Sequence, residues 1–254
     1  VYSEKPLSYS QHEGKLMLAS QNQTNQIFQL GNQIHAGDNY HRVAEIIKSG
    51  VLGKIKTVRL WKSGEPPVIP ALTYQKPPSN LNWDMWLGPA PFSEYAPEKC
   101  HFNYRYFMEY SGGVFQDFWC HIADIVWWSM EPSGLKKIKA NGESSDGVGD
   151  TPKWIDVDFK FKKLDLHWTS IPPDVPGAAG KGIGAYFEGS KGTLVCDYLE
   201  YARSMTMPMH LALISFRLKE ELKWDAKKEL FKNNDAANQL LFRPYRDKWN
   251  LIGA

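Results

Sequence analysis

The chain has 254 residues, which at about 100–200 residues per domain allows one large or two small domains. An apolar share of 43% is enough for a sizeable core, and 30 basic against 28 acidic residues, with no basic block, carry no nucleic-acid signature. No apolar run reaches the roughly 20 residues of a membrane span, and Cys100, Cys120 and Cys196 are too widely spaced, and odd in number, for a disulfide framework or a zinc cluster.

The residue before a proline is pushed out of the helical region, so Glu4-Lys5-Pro6 is an extended piece, and Lys5–Pro6 is a candidate for a cis bond. Ser8 reads as the N-cap of a helix reaching about Asn22, with Leu16 and Ala19 turned inward. Ile27 to Leu30 is a short buried strand ending at Gly31. A second helix runs from about Tyr40 to Ser49, with Val43, Ile46 and Ile47 at helical spacing and Gly50 as its stop. Strand, helix, strand, helix is the pattern of an α/β layer. After Gly53 the character changes to a strand over Ile55 to Trp61, a Pro-rich polar loop over about Ser63 to Asn80, and a compact aromatic turn over Asn82 to Pro91. The spacing predicts a helix over Gly113 to Ser129. Strands follow at Leu135 to Asn141, Ile155 to Phe161, Leu164 to Ser170 and Ala185 to Glu188, and Gly189 to Gly192 reads as a hairpin into Thr193 to Asp197. Strands in succession without helices between them predict a largely antiparallel sheet. Gly177 to Gly184 reads as a mobile loop, and Lys227 to Trp249 as helical in part.

Gly112 to Asp124 carries the most chemistry. Residues four apart share a helix face, so Asp117 and His121 point into one cleft. Histidine titrates near neutrality and can take a proton from a hydroxyl as hydride leaves the same carbon, while a carboxylate orients the ring or the substrate. Gly112 and Gly113 would let backbone approach a ligand closely. The same spacing suits a capped helix with a buried, hydrogen-bonded histidine. Asp117, His121 and Asp124 also have metal-ligand chemistry, without a second His or Cys cluster to support it. Lys5, constrained by Pro6, can stabilise a developing alkoxide or simply lie on the surface. Ten Trp, 12 Tyr and 12 Phe suit stacking on sugar rings as well as core and interface packing.

These stretches in this order resemble the Gfo/Idh/MocA family of nicotinamide-dependent oxidoreductases. Glu4-Lys5-Pro6 resembles its Glu-Lys-Pro motif, and Gly31-Asn32-Gln33 its Gly-x-Gln. Ser49-Gly50-Val51-Leu52-Gly53 resembles its Ser-Gly-x-x-Gly junction. Trp86-Leu87-Gly88-Pro89-Ala90-Pro91 resembles a loop of many bacterial members. Gly112-Gly113 with Asp117, His121 and Asp124 resembles its Gly-Gly-x-x-x-Asp-x-x-x-His-x-x-Asp signature, and Glu188 to Gly192 its late Glu-Gly-[Thr/Ser]-x-Gly hairpin.

The resemblance implies an α/β protein in which residues 1–50 are the C-terminal remnant of an NAD(P)-binding Rossmann domain. Residues 51–254 would then form an α+β substrate-binding and oligomerisation domain, an open, largely antiparallel sheet with helices on one face. It implies that Lys5, Asp117 and His121 are catalytic: His121 as general acid/base, Lys5 assisting the proton relay, Asp117 orienting substrate. It places Glu4, Lys5, Pro6, Gln33 and Arg105 around the cofactor, and Lys5, Trp86, Arg105, Asp117 and His121 around the substrate, with Trp83 as a further wall, Asp124 structural and no metal. NAD or NADP is the implied cofactor, a sugar, inositol or related polyol the substrate, and a homo-oligomer the assembly, joined through the sheet, with no nucleic-acid or membrane partner. One departure stands out. No GxGxxG follows a strand, and Gly180 to Gly184 lacks Rossmann context. The phosphate loop and any targeting segment are expected upstream of Val1, and this chain by itself is expected to hold dinucleotide poorly. The resemblance leaves the compartment open between bacterial cytoplasm and periplasm. An NAD-dependent glycoside hydrolase would use the same three residues, and a non-catalytic sugar-binding or oligomer-forming module would need none of them.

Overall fold

A strand alternates its side chains between two faces, and in β3 (Ile55–Lys62) both faces are covered at its centre, where Val58, Leu60 and Trp61 are fully buried among the more accessible Lys56, Thr57, Arg59 and Lys62. It lies inside a six-stranded sheet ordered β4-β5-β6-β3-β7-β8, built with β4 (Leu135–Ser144), β5 (Pro152–Phe161), β6 (Asp165–Thr169), β7 (Ile183–Gly189) and β8 (Thr193–Asp197). Every adjacent pair is antiparallel except β3 with β6. The computed structural model describes residues 1–24, 26–197, 208 and 211–241. The packing divides the chain into two units, Val1–Asp197 and Tyr198–Ala254.

Register decides which side chains share a face. Leu60 stands beside Trp168 and Ala185, Val58 beside Leu166 and Phe187, and Val157 beside Trp168. After the short α3 (Trp83–Leu87), α4 (Gly113–Ile122) and α5 (Asp124–Met130) pack onto this face, through Phe115 on Trp168, Trp119 on Phe159 and Trp127 on Phe161. The predicted single helix over 113–129 is therefore two. The break falls at Ala123, where Val126 N–H bonds the Ala123 carbonyl in a tightened i to i+3 turn. On the opposite face Trp61 packs on Ala178 and Tyr186 and donates from Nε1 to the Lys181 carbonyl at 2.8 Å. The Gly-rich stretch expected to be a mobile loop is thus tied over Trp61. Only glycine fits at 184, since a Cβ there would sit 2.4 Å from the Trp61 ring.

The N-terminal layer is thinner. β1 (Tyr2–Glu4) pairs in parallel with β2 (Gln29–Gly31) across α1 (Gln11–Thr24), and α2 (Asp38–Lys48) follows a 3-10 turn over Gln33–Ala36. The Lys5–Pro6 peptide is cis. Ser10, not Ser8, caps α1: its Oγ accepts from Glu13 N–H, and the Glu13 carboxylate accepts from the backbone of Tyr9 and Ser10. This capping box was present in the sequence as Ser-x-x-Glu. The inward face expected for α1 does not exist. None of its residues is buried, and Leu16 is 57% exposed. In contrast, α2 buries Tyr40, Val43, Ala44 and Ile47.

The second unit holds α6 (residues 211–218), the two-stranded β9 (Trp224–Asp225) and β10 (Leu230–Phe231), and α7 (Asp235–Gln239), with Ile214, Phe231 and Ala237 at its centre. Among the described residues the helical tail expected from Lys227 is realised only as α7. Its part beyond 241 lies outside the described residues.

Candidate active site

Lys5 directly follows β1 and Asn32 directly follows β2, so both stand at the carboxyl edge of a parallel pair, where open α/β sheets take ligands. Opposite them lies α4. Its period brings Asp117 and His121 to the same side, one turn apart.

The Lys5 ammonium pairs with Asp117 Oδ1 and donates to the Asp117 carbonyl at 2.9 Å. Arg105, held in a 3-10 turn over His101–Tyr106, donates from Nε to Asp117 Oδ2 at 3.1 Å. One carboxylate thus carries two cations. Burial alone pushes the Asp117 carboxyl up, but Lys5 and Arg105 outweigh it and hold the group below its ordinary value. A cavity of about 220 Å³ opens here, walled by Lys5, Tyr9, Tyr104, Tyr110, Gln116 and Asp117.

His121 is 8% exposed. Its Nδ1 lies 3.0 Å from Asn32 Oδ1, and Asn32 Nδ2 donates to the Cys120 carbonyl at 2.9 Å. A carbonyl can only accept, so the Asn32 amide presents nitrogen to Cys120 and oxygen to His121. Nδ1 must then carry the proton, which leaves Nε2 as the basic nitrogen of the neutral ring. Nε2 has no hydrogen-bond partner among the described residues. Tyr40 Oη donates to the His121 carbonyl at 3.1 Å and ties α2 to the same turn. Burial lowers the His121 pKa below its ordinary 6.5, the Lys5 charge adds to this, and Asp117 and Asp124 oppose it. The ring is therefore neutral at pH 7.

The structure brings Lys5, Arg105 and Asp117 together, with His121 one turn further along α4. Glu4 and Pro6 flank Lys5 on the exposed side. Gln33 is exposed and lines a separate cavity of about 590 Å³ with Gly31, Asn32, Cys120 and Asp124. Trp83 is buried core, stacked on Trp86 at 4.7 Å, and Trp86 lines a different, larger cavity from the one around Lys5. Asp124 accepts from His35 Nδ1 at 2.8 Å. The close approach expected of Gly113 is made to protein: it has φ +69°, and a Cβ there would lie 2.8 Å from the Thr151 side chain. Among the described residues no three His, Cys, Asp or Glu side chains converge as a metal site, and none of the three cysteines forms a disulfide. No described helix is long and apolar enough to cross a membrane. Sequence reasoning missed Asn32 and Tyr40 as the groups that hold His121. Asn32 sat inside a quoted motif, yet nothing local shows that it reaches a helix 89 residues away.

Residues 42–199 match the oxidoreductase family, C-terminal alpha/beta domain. Three solved structures share the fold. GenD2 from gentamicin A biosynthesis, in complex with NAD, is 15% identical over 78% of this chain and 47% of its own, with a TM-score of 0.52. The WlbA dehydrogenase from Bordetella pertussis, in complex with NADH and UDP-GlcNAcA, is 16% identical over 77% and 51%, TM-score 0.50. An oxidoreductase domain protein from Kribbella flavida is 17% identical over 78% and 48%, TM-score 0.53. The chain spans about half the length of these structures. A search of curated proteins gave no match. With its matched segment covering all six strands of the large sheet and the whole of α4, the chain belongs to the Gfo/Idh/MocA oxidoreductase family.

Proposed function

We propose that the full-length enzyme is an NAD(P)-dependent dehydrogenase that moves hydride between nicotinamide and a hydroxyl-bearing carbon of a sugar, inositol or related polyol. The observation that supports it most is the state of His121: a neutral ring, its Nδ1 proton committed to Asn32 and its Nε2 unpartnered, one helical turn from the Lys5–Asp117–Arg105 group. A nicotinamide fits this end of the site, because Lys5 and Asn32 project from the carboxyl edge of parallel β1 and β2. Glu4, Lys5, Pro6 and Gln33 would flank it, with Arg105 on the substrate side. No residues here correspond to a phosphate loop, and residues 1–50 stand in this reading as the last part of the cofactor domain. When bound, the nicotinamide supplies the hydride acceptor or donor.

The chain's own groups account for the rest. His121 Nε2 takes the proton of the substrate hydroxyl on oxidation and returns it on reduction. Lys5, fixed by Asp117, keeps a positive charge beside the oxygen on which negative charge develops. Asp117 is saturated by its two cations, so it acts by positioning them and accepts no proton at neutral pH. His121→Asn in the full-length enzyme is expected to lower kcat by about 10²–10⁴-fold. The acid limb of the wild-type oxidation rate is expected below pH 6.5, where the depressed histidine becomes charged. Unchanged hydride transfer in the variant would remove His121 from the mechanism.

A further inference from the structure

The small cavity at Lys5 opens beside a second one of about 630 Å³, and the two share Tyr9, Tyr104 and Tyr110 as walls. The larger cavity is lined by the Trp86–Pro91 turn, by Glu13 and by Glu109. Its aromatic wall is rigid. Trp86 stacks on buried Trp83 with 16° between the planes, and Tyr110 meets Trp86 edge-on at 5.2 Å. Tyr110 also hydrogen-bonds Ser93 at 2.8 Å. The charged side chains on the wall are the carboxylates of Glu13 and Glu109, and no Lys or Arg lines it. Glu13 is anchored by the α1 cap, and Glu109 pairs with Lys99 behind the wall.

We infer that this second cavity binds a further, uncharged saccharide ring, so that the substrate is a neutral glycoside or disaccharide reacting at the ring placed beside Lys5. The inference rests on the dehydrogenase reading for its reacting end only. A pyranose offers a C–H face that buries apolar area on Trp86 and a hydroxyl rim that needs acceptors, which the carboxylates and tyrosine hydroxyls supply. At about 220 Å³ the Lys5 cavity is below the roughly 300–1,000 Å³ usual for ligand pockets, whereas the adjoining one falls inside that range. A nucleoside diphosphate would place its phosphates against carboxylates with no cation in the wall, an arrangement that like-charge repulsion opposes.

Calorimetric titration of this chain tests it, with glucose, UDP-glucose, and α- and β-linked gluco- and galacto-disaccharides as probes. At least one disaccharide is expected to bind with a Kd tenfold or more below that of glucose, and UDP-glucose no tighter than glucose. Trp86→Ala should shrink the disaccharide-to-glucose ratio to about one. Because Trp86 also packs on Trp83, the exposed Tyr9→Ala is the second variant, expected to narrow the ratio without loss of near-ultraviolet dichroism. Equal Kd values for glucose and every disaccharide, no binding by any of them, or tighter binding of UDP-glucose overturns the inference. Disaccharide binding without hydride transfer in the full-length enzyme sinks the dehydrogenase reading and leaves the second ring site standing. Hydride transfer from monosaccharides with no disaccharide preference does the reverse.

Discussion

The β1–α1–β2 layer and the six-stranded sheet contribute to the same site by opposite means. The sheet is held by burial: Val58, Leu60, Leu166, Trp168 and Phe187 are at most 1% exposed. The layer has almost no core of its own, and α1 buries nothing. Most of what ties it and the turn after β2 to α4 and α5 is polar, Lys5 to Asp117, Asn32 to His121 and Cys120, and His35 to Asp124, with the His35 ring also stacked on Trp128. A site built this way has one rigid wall, the helix carrying Asp117 and His121, and one wall set by a few directional bonds. Those bonds join the groups assigned to the chemistry, so substitutions there should alter function and anchoring together.

That contrast is open to test. The largest effect on stability is expected in the sheet: Leu60→Ala removes a fully buried side chain and should cost about 2–5 kcal/mol in urea unfolding. Next comes the anchor. Asp117→Asn withdraws the carboxylate shared by Lys5 and Arg105 and should cost about 1.5–3 kcal/mol at pH 7. The pH dependence has a definite sign. Asp117 has a lowered pKa in the folded chain, so its contribution is present above the ordinary 3.8 and is lost as pH falls through the lower folded value. Wild type and variant should therefore converge in acid, and a constant gap from pH 7 to pH 3 would show that the pair does not anchor the layer. Asn32→Ala should be milder. It removes two hydrogen bonds, and loss of the one to His121, at about 1–1.5 kcal/mol, implies roughly a tenfold fall in kcat of the full-length enzyme. The His121 ring, followed by nitrogen–proton correlation NMR, should lose its single Nδ1–H tautomer, a change that a general loss of packing would not produce. Smallest is Leu16→Ala on α1, expected within about 0.5 kcal/mol of wild type. A cost near that of Leu60→Ala would mean that α1 buries Leu16 in solution, and the comparison between the layers would fail.

Much of this architecture is local enough to read directly. Alternation marked β3, and strand-type runs and a hairpin signal marked β5, β7 and β8 to within a few positions, because such signals lie within the strand or the turn beside it. The four-residue spacing put Asp117 and His121 on one side of α4 for the same kind of reason. Errors arose wherever a partner decided the outcome. The apolar spacing of Leu16 and Ala19 signalled an inner face, but spacing cannot say whether anything packs against it. Gly177 to Gly184 looked mobile, since nothing local shows that Trp61 reaches across to Lys181. The paired glycines looked like room for a ligand, and Gly113 instead makes room for Thr151.

By itself, then, the order of residues determined the period of each element, the family signature and the identities of Lys5, Asp117 and His121, because all of these are encoded by neighbours within a few positions. Tertiary structure alone decided that two cations converge on Asp117, that Asn32 sets the His121 tautomer, and that Trp86 faces a second cavity and not the Lys5 pocket. Each of those depends on side chains far apart in sequence meeting at fixed distances and angles. Only the packed sheet and the helices laid across it impose such geometry.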